Sequence, residues 1–117
     1  NKSDILSNDI INYVNKSIDF INLKVSKPEY FIWSNYHDNI ETLLQNLKIK
    51  NYTLVKQNDV INDFYLFKYC KHFIIGPSSF HWWGAWLNEN PDKICIRPKN
   101  LNPSNNKNFW PEEWTAI

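Results

Sequence analysis

The sequence predicts an α/β fold in which helices cover both faces of a parallel sheet. Short apolar runs of about four residues alternate with longer segments of helical periodicity. This alternation continues along the chain, as it does in successive βαβ units. The 117 residues, 43% of them hydrophobic and 16% aromatic, suit one domain with a packed core. We therefore expect a single Rossmann-like domain over residues 1–117.

The first half of the chain predicts two helices, each followed by a strand. A helix over about residues 8–23 is indicated by apolar residues that recur on one helical face, Ile11, Val14, Ile18 and Ile21. Pro28 ends this pattern. Residues 30–33 and 52–55 are apolar runs typical of buried strands, and a helix over residues 40–47 connects them.

The second half repeats this alternation and adds a terminal segment. Asp59 is a suitable cap for a helix through about residue 69, and residues 73–75 form the next apolar strand. A tryptophan-rich helix precedes another strand over residues 94–96. Residues 109–114 predict a short helix, because a proline and two acids are typical of a first turn.

The run over residues 74–87 contains both glycines of the chain and three of its six tryptophans. Its apolar strand ends at Gly76, and Ser78 or Ser79 is a suitable N-cap for the helix that follows. Backbone amides and the helix dipole converge at such a turn, where a phosphate can bind. Because serine in this position most often only caps a helix, both interpretations stay open.

The tryptophans of this helix are expected to be core residues. Trp82 and Trp86 are four positions apart and share a helix face, which we expect to lie against the sheet. Trp83 is expected to point elsewhere. Gly84 would allow a close approach of another element.

Composition argues against several other classes of protein. A net charge of +1 with a single arginine argues against a nucleic-acid surface. No apolar run approaches the roughly 18 residues that span a bilayer. Three scattered histidines do not predict a zinc site. Cys70 and Cys95 show no metal or redox spacing, so we expect buried, reduced thiols and a cytoplasmic protein.

The motifs that surround this run have a characteristic order and spacing. They occupy residues 63–72, 74–75, 78–87, 90–93 and 110–114. In this order they resemble the C-terminal half of the bacterial α-1,2-fucosyltransferases, glycosyltransferase family 11. The resemblance is strongest from about residue 63 to the end and weaker over residues 30–55.

This resemblance implies a fold, an activity and partners. Members of the family transfer fucose from GDP-fucose to a galactoside, with inversion, in surface glycan or lipopolysaccharide synthesis. They use no metal or other cofactor and have two facing Rossmann-like domains of the GT-B type. The chain would be the donor-binding half, which binds GDP-fucose, meets the glycan acceptor through the other half and binds no nucleic acid. Its location would be the cytoplasm, free or peripheral at the inner membrane.

The resemblance also implies a donor-binding site formed by Asp63, Ser78, Ser79, Phe80 and His81. The aspartate that matches Asp63 helps to hold the nucleoside. From the residues alone, the polar face of its helix is the favoured interpretation of Asp63. His81 stands where the family usually has serine, and a partly exposed histidine without a specific role is the alternative.

Catalytic residues stay unassigned at this stage. The family's His-x-Arg-Arg-Asp-type segment, which supplies an arginine for the diphosphate, has no counterpart in residues 1–30. Arg97 follows a predicted strand and is compatible with either an anion site or a plain surface role. We expect the chain by itself to transfer no fucose. The alternative function is a non-catalytic nucleotide-binding or interaction module derived from the same fold.

Overall fold

The chain divides into two compact units, residues 1–57 and 58–117, each of which combines helices with parallel strands. The structure, a computed structural model, describes residues 2–33, 40–55, 59–76, 79–99 and 107–117. The α/β class expected from the sequence is therefore confirmed. No helix in these ranges is both long and apolar enough to cross a membrane.

The first unit consists of two helices and a two-stranded parallel sheet. In chain order these are α1 (Lys2–Lys24), β1 (Tyr30–Ile32), α2 (Ile40–Gln45) and β2 (Tyr52–Leu54). The predicted positions of the helices and strands are confirmed, although α1 begins six positions earlier than its apolar stripe indicates. The expectation of buried strands with both sheet faces covered is wrong for this unit, because Phe31 and all three residues of β2 are exposed. Among residues 9–24 of α1, Ser17, Ile18 and Ile21 are buried, and the two isoleucines belong to that apolar stripe.

Asn15 connects α1 to the end of α2. Its side-chain amide donates to the carbonyl of Asn46 at 3.0 Å, and its carbonyl oxygen accepts the amide of Lys48 at 2.7 Å. Lys48 also forms an ion pair with Asp19 at 3.3 Å, but both side chains are exposed, so the pair contributes little. The two amide hydrogen bonds are therefore the more specific link.

The second unit contains two helices and a three-stranded parallel sheet in the order β3-β4-β5. Its elements are α3 (Val60–Lys68), β3 (Phe73–Ile74), α4 (Ser79–Leu87), β4 (Cys95–Arg97) and β5 (Thr115–Ala116). Phe73 is paired with Cys95, and Ile96 is paired with both Ile74 and Thr115. Ile96 is fully buried because it lies in the central strand of this sheet.

The prediction of a short helix over residues 109–114 is wrong. This stretch forms turns, in which the amide of Trp114 donates to the carbonyl of Pro111 at 3.2 Å, and it leads into β5. Pairing beside β4 continues past β5, where the amide of Ile117 donates to Arg97 at 3.1 Å. The backbone groups of β5 form their hydrogen bonds with β4, so they need no helix to satisfy them. A strand of two residues is also too short to produce a periodic pattern in the sequence.

The tryptophan pair of α4 departs in part from expectation. The rings of Trp82 and Trp86 are stacked, with centroids 5.3 Å apart, so the shared face is confirmed. The placement of Trp86 against the sheet is wrong, because it is 46% exposed while the adjacent Ala85 is fully buried. Trp83 is 51% exposed and points elsewhere, as expected. The small residue takes the core position because α4 approaches its neighbours closely there.

Polar side chains cap both helices of the second unit. Asp59 accepts an amide in the first turn of α3 at 2.9 Å, which confirms its predicted capping role. Asn88 donates to two carbonyls at the end of α3, those of Lys68 and Cys70, at 2.7 Å each. The ammonium of Lys93 donates to a carbonyl in the last turn of α4 at 2.7 Å. These bonds satisfy groups that a helix end leaves unpaired.

Both cysteines are free thiols, as predicted. Cys95 is buried in β4, and burial raises the pKa of its thiol to about 12 although nearby Lys93 opposes the shift. Cys70 is only half-buried, so the expectation of two buried thiols is wrong for this residue. Burial nevertheless raises the pKa of the Cys70 thiol as well.

Candidate functional site

The N-terminal ends of α3 and α4 lie side by side. Phe64 meets the ring of Phe80 edge to face at 5.6 Å, near the start of both helices. One turn further along, Phe67 lies against Gly84. Because these contacts advance in the same direction along both helices, α3 and α4 run roughly parallel. Side chains and amides of the two first turns are thereby brought to one end of the pair.

Asp63 lies in the first turn of α3 and is buried, with only 8% of its surface exposed. It precedes Phe67 by one helical turn and therefore occupies the face that packs toward α4. No hydrogen bond or ion pair of its carboxylate is found among the described residues, and its oxygens are not among the fully buried side-chain atoms that lack a partner there. The alternative of an exposed polar face is therefore wrong. A buried acceptor in this state favours a ligand that offers N–H or O–H donors.

His81 lies in the first turn of α4 and is held as a neutral ring. Its Nδ1 accepts the amide of Gly76 at 3.2 Å, which places the imidazole proton on Nε2. Its ring stacks on Phe67 at 5.1 Å with an interplanar angle of 18°. Burial lowers the pKa of His81 below its usual value. His81 therefore has specific contacts with Gly76 and Phe67, while its role toward a donor stays a prediction.

The amides at the start of α4 lie where the sequence predicts an anion site. The helix begins at Ser79, as predicted, and the first amides of an α-helix lack partners within the helix. Phe80 and His81 follow in the same turn. Ser78 and the side chain of Ser79 lie outside the described residues, so their predicted contacts stay predictions. The structure therefore places Asp63 in the first turn of α3, and Phe80 and His81 in the first turn of the adjacent α4.

Arg97 is engaged elsewhere, at the end of β4. Its guanidinium lies 5.9 Å from the centre of the Trp110 ring, and Nη1 donates to the carbonyl of Pro98 at 3.3 Å. Its Nε is buried without a hydrogen-bond partner among the described residues. Arg97 is half-buried, so a plain surface role is wrong. Its described contacts support the end of the sheet, not the α3–α4 site.

Phe67 is a central residue of the site that sequence reasoning missed. It packs against Phe73 of β3 at 5.2 Å, Phe80 at 5.5 Å and His81, and it fills the space beside Gly84. Its position four residues after Asp63 was the available signal, because this spacing places both on one helix face. Phe67 thus supports the first turn of α4 through its contacts with Phe80 and His81.

The described histidines bind backbone amides. Nδ1 of His72 accepts the amide of Ile94 at 2.9 Å, just as His81 accepts Gly76. Within the described ranges, no group of three His, Cys, Asp or Glu side chains is arranged to hold a metal ion. The polar atoms of the candidate site are therefore backbone amides, one carboxylate and one neutral imidazole.

Comparison with known proteins assigns the family. The sequence profile of Glycosyl transferase family 11 matches residues 3–117. The chain belongs to this family. The resemblance inferred from the motifs is thus confirmed. No solved structure matches the chain significantly.

Two curated relatives from Escherichia coli illustrate this membership. The chain is 47% identical over 45 residues to the O-antigen biosynthesis glycosyltransferase WbnK, a match that covers 38% of the chain and 15% of that protein. It is 30% identical over 116 residues to an alpha-1,2-colitosyltransferase, covering 90% of the chain and 38% of that protein. The chain therefore spans much less than half the length of either relative.

Proposed function

We propose that this chain is the donor-binding portion of a family 11 glycosyltransferase and that it binds GDP-fucose. The observation that carries the proposal is the position of Asp63, a buried acidic residue without a side-chain hydrogen bond to the described residues, at the same end of the α3–α4 pair as the first-turn amides of α4. Asp63 offers a hydrogen-bond acceptor, and the first-turn amides of α4 offer donors. A nucleoside diphosphate has the complementary groups.

Each part of the ligand has a partner of matching chemistry. The diphosphate would accept hydrogen bonds from the amides of residues 79–81, where the helix dipole also favours an anion. Asp63 would accept from the N–H and O–H groups of the nucleoside, which relieves its desolvation. Ser78 and Ser79 would add hydroxyl contacts. None of these contacts requires a metal or other cofactor.

The wider proposal follows the family. The domain would be Rossmann-like, in an enzyme of the GT-B type that transfers fucose with inversion to a galactoside during surface glycan or lipopolysaccharide synthesis. WbnK's name refers to O-antigen biosynthesis, which supports this process. The second relative is named for a different sugar, so the nucleotide and the sugar need separate tests. The proposed location is the cytoplasm, free or peripheral at the inner membrane.

A non-catalytic nucleotide-binding module is the second candidate, favoured by the contacts of Arg97. The sequence has one arginine, and its guanidinium is packed on Trp110. Charge develops on the leaving diphosphate during transfer, and removing one donor that stabilises such charge commonly costs roughly a hundredfold or more in rate. We therefore expect the 117-residue chain to transfer no fucose, even when it binds the nucleotide.

Calorimetry and amide NMR with GDP test nucleotide binding. We expect millimolar GDP to shift the amide resonances of residues 79–81, and we expect GDP to bind more tightly than UDP or ADP. Asp63→Asn should weaken GDP binding by about tenfold, in line with the loss of a charged hydrogen bond. Ser79→Ala should cost only about 0.5 to 1.5 kcal/mol, because the backbone donors remain.

Asp59→Asn is the matched control. Asp59 belongs to the N-terminus of the same helix but is exposed, and asparagine caps a helix equally well. Its replacement should leave GDP affinity unchanged. If GDP shifts no amide near residues 79–81, or if both aspartate variants bind alike, the site assignment is wrong.

An assay with radiolabelled GDP-fucose and a panel of galactosides separates the two functions. We expect no turnover by the chain alone. Turnover would show that the second candidate is wrong and that the chain already contains the groups needed for transfer. GDP binding without any affinity for the fucosyl part of GDP-fucose would support the non-catalytic module.

A further inference from the structure

One hydrogen bond joins the residue that follows β3 to the first turn of α4. The amide of Gly76 donates to Nδ1 of His81 at 3.2 Å, across five positions of the chain. An imidazole that accepts at Nδ1 carries its proton on Nε2 and is uncharged. The bond therefore connects the end of the sheet to α4 through a neutral side chain.

Packing on the other side fixes the orientation of this ring. His81 stacks on Phe67 nearly parallel, and Phe67 is itself packed against Phe73 in β3. A partial rotation of the imidazole would lose the stacked contact, and a full ring flip would lose the hydrogen bond to Gly76. Nδ1 is consequently presented to the Gly76 amide before any ligand arrives.

We infer that His81 is a positioning residue of the anion site and acts as a neutral acceptor toward Gly76 instead of a cationic ligand of the diphosphate. This inference rests on the proposed function. Through the Gly76 bond, His81 holds the end of β3 against the amides of the α4 first turn. Donors that are fixed before binding contribute more than donors that must be ordered by the ligand.

If the inference is correct, GDP affinity depends on a hydrogen-bond acceptor at the position of Nδ1 in His81. Asparagine can place its Oδ1 near the position of Nδ1 and keep the bond to Gly76. Phenylalanine keeps a ring on Phe67 but offers no acceptor. Glutamine is polar, but its carbonyl lies nearer the position of Nε2. The three replacements of His81 therefore separate the acceptor from the ring and from general polarity.

The experiment measures GDP affinity by calorimetry for the unaltered chain and for His81→Asn, His81→Phe and His81→Gln, with melting curves to confirm folding. We expect His81→Phe and His81→Gln to bind GDP about 3- to 10-fold more weakly, the range for one lost hydrogen bond. His81→Asn should stay within about twofold of the unaltered chain. In NMR spectra without GDP, the Gly76 amide should shift in the first two variants and be preserved in His81→Asn.

Each outcome decides a separate question. Equal GDP affinity in His81→Phe, His81→Gln and the unaltered chain would overturn the inference while leaving the proposed function intact. Equal weakening in all three variants would also overturn it, because the acceptor would then not be the cause. Absence of GDP binding by the unaltered chain would instead contradict the proposed function itself.

Discussion

The ring of Phe67 occupies the space in which a side chain on Gly84 would lie. A Cβ atom added to Gly84 would be 2.7 Å from Cε1 of this ring and closer still to Cδ1. Phe73 and His81 hold the ring on its other sides, so it has little freedom to move away. The absence of a side chain at position 84 is thus what allows α4 to pack closely on α3.

We predict that Gly84→Ala destabilises the chain. Alanine favours a helix over glycine by about 1 kcal/mol, but overpacking against a fixed ring costs typically 1 to 3 kcal/mol. Because the contact with the ring is so close, we expect the upper part of this range, a net loss of about 1 to 2 kcal/mol, measured by urea unfolding. Gly76→Ala is the matched control, because a Cβ there would meet its nearest atom at an ordinary 3.7 Å.

A second variant identifies the cause of that loss. Phe67→Leu creates room beside position 84, so the double variant should lose less stability than the sum of the two single losses. Strict additivity, or a stabilising effect of Gly84→Ala alone, would contradict the packing argument.

The two stacked tryptophans should differ in their contribution to stability. The indole nitrogen of Trp82 donates to the carbonyl of Phe109 at 2.8 Å, and its ring meets Trp114 at 5.7 Å. We expect Trp82→Ala to cost about 3 kcal/mol. Trp86 is 46% exposed, and Trp86→Ala should cost only about 1 kcal/mol. Thermal melting checks the order, and a larger loss in Trp86→Ala would contradict it.

Stability should fall on mild acidification, because two histidines accept backbone amides at Nδ1. Burial lowers the pKa of His81, and it lowers that of His72 together with the charge of Lys71, against an opposing effect of Asp92. The unfolded chain therefore binds protons at higher pH than the folded chain. Stability is full above about pH 6.5 and is lost as the pH falls through the lowered pKa values.

Urea midpoints at a series of pH values measure this effect. They should be constant between about pH 8 and 7 and should decrease below about pH 6.5. The double replacement His72→Asn with His81→Asn should flatten the decrease above the range in which carboxylates titrate. An unchanged slope in that variant would show that these histidines are not responsible.

The two thiols should differ in reactivity toward iodoacetamide. Thiolate is the reactive form, and burial raises the pKa of both thiols, that of Cys95 to about 12. Cys70 is half-buried whereas Cys95 is only 5% exposed. At about pH 8 we expect slow modification of Cys70 and almost none of Cys95 until the chain unfolds. Mass spectrometry of labelled peptides measures both rates, and faster labelling of Cys95 would be the contrary result.

Much of the second unit could be predicted locally. Asp59 precedes an apolar helical pattern, and it caps α3 through its own side chain. The absence of a side chain at Gly84 was sufficient to predict a close approach, although the identity of Phe67 as its neighbour was not. Such features depend on residues a few positions apart, so the sequence order contains them.

The sequence motifs indicate which residues could form the candidate site, but they do not indicate the burial or protonation of those residues. The family motifs point to Asp63, Phe80 and His81, which lie in the first turns of two adjacent helices, and their binding roles stay predictions. Burial of Asp63 and the neutral form of His81 depend on the packing of α3 against α4. No local pattern reports which side of a helix will meet another helix when both sides carry apolar or aromatic residues.

The sequence by itself determined the order of helices and strands as far as β4, the capping role of Asp59 and the family, because periodicity, capping chemistry and motif spacing are local properties. Only the tertiary structure decided that residues 115–116 form a strand, since two residues gain their bonds from β4 alone. It also decided that Ala85 and not Trp86 takes the core position. Both outcomes depend on which surfaces meet, and the free energy of burial is determined only once they do.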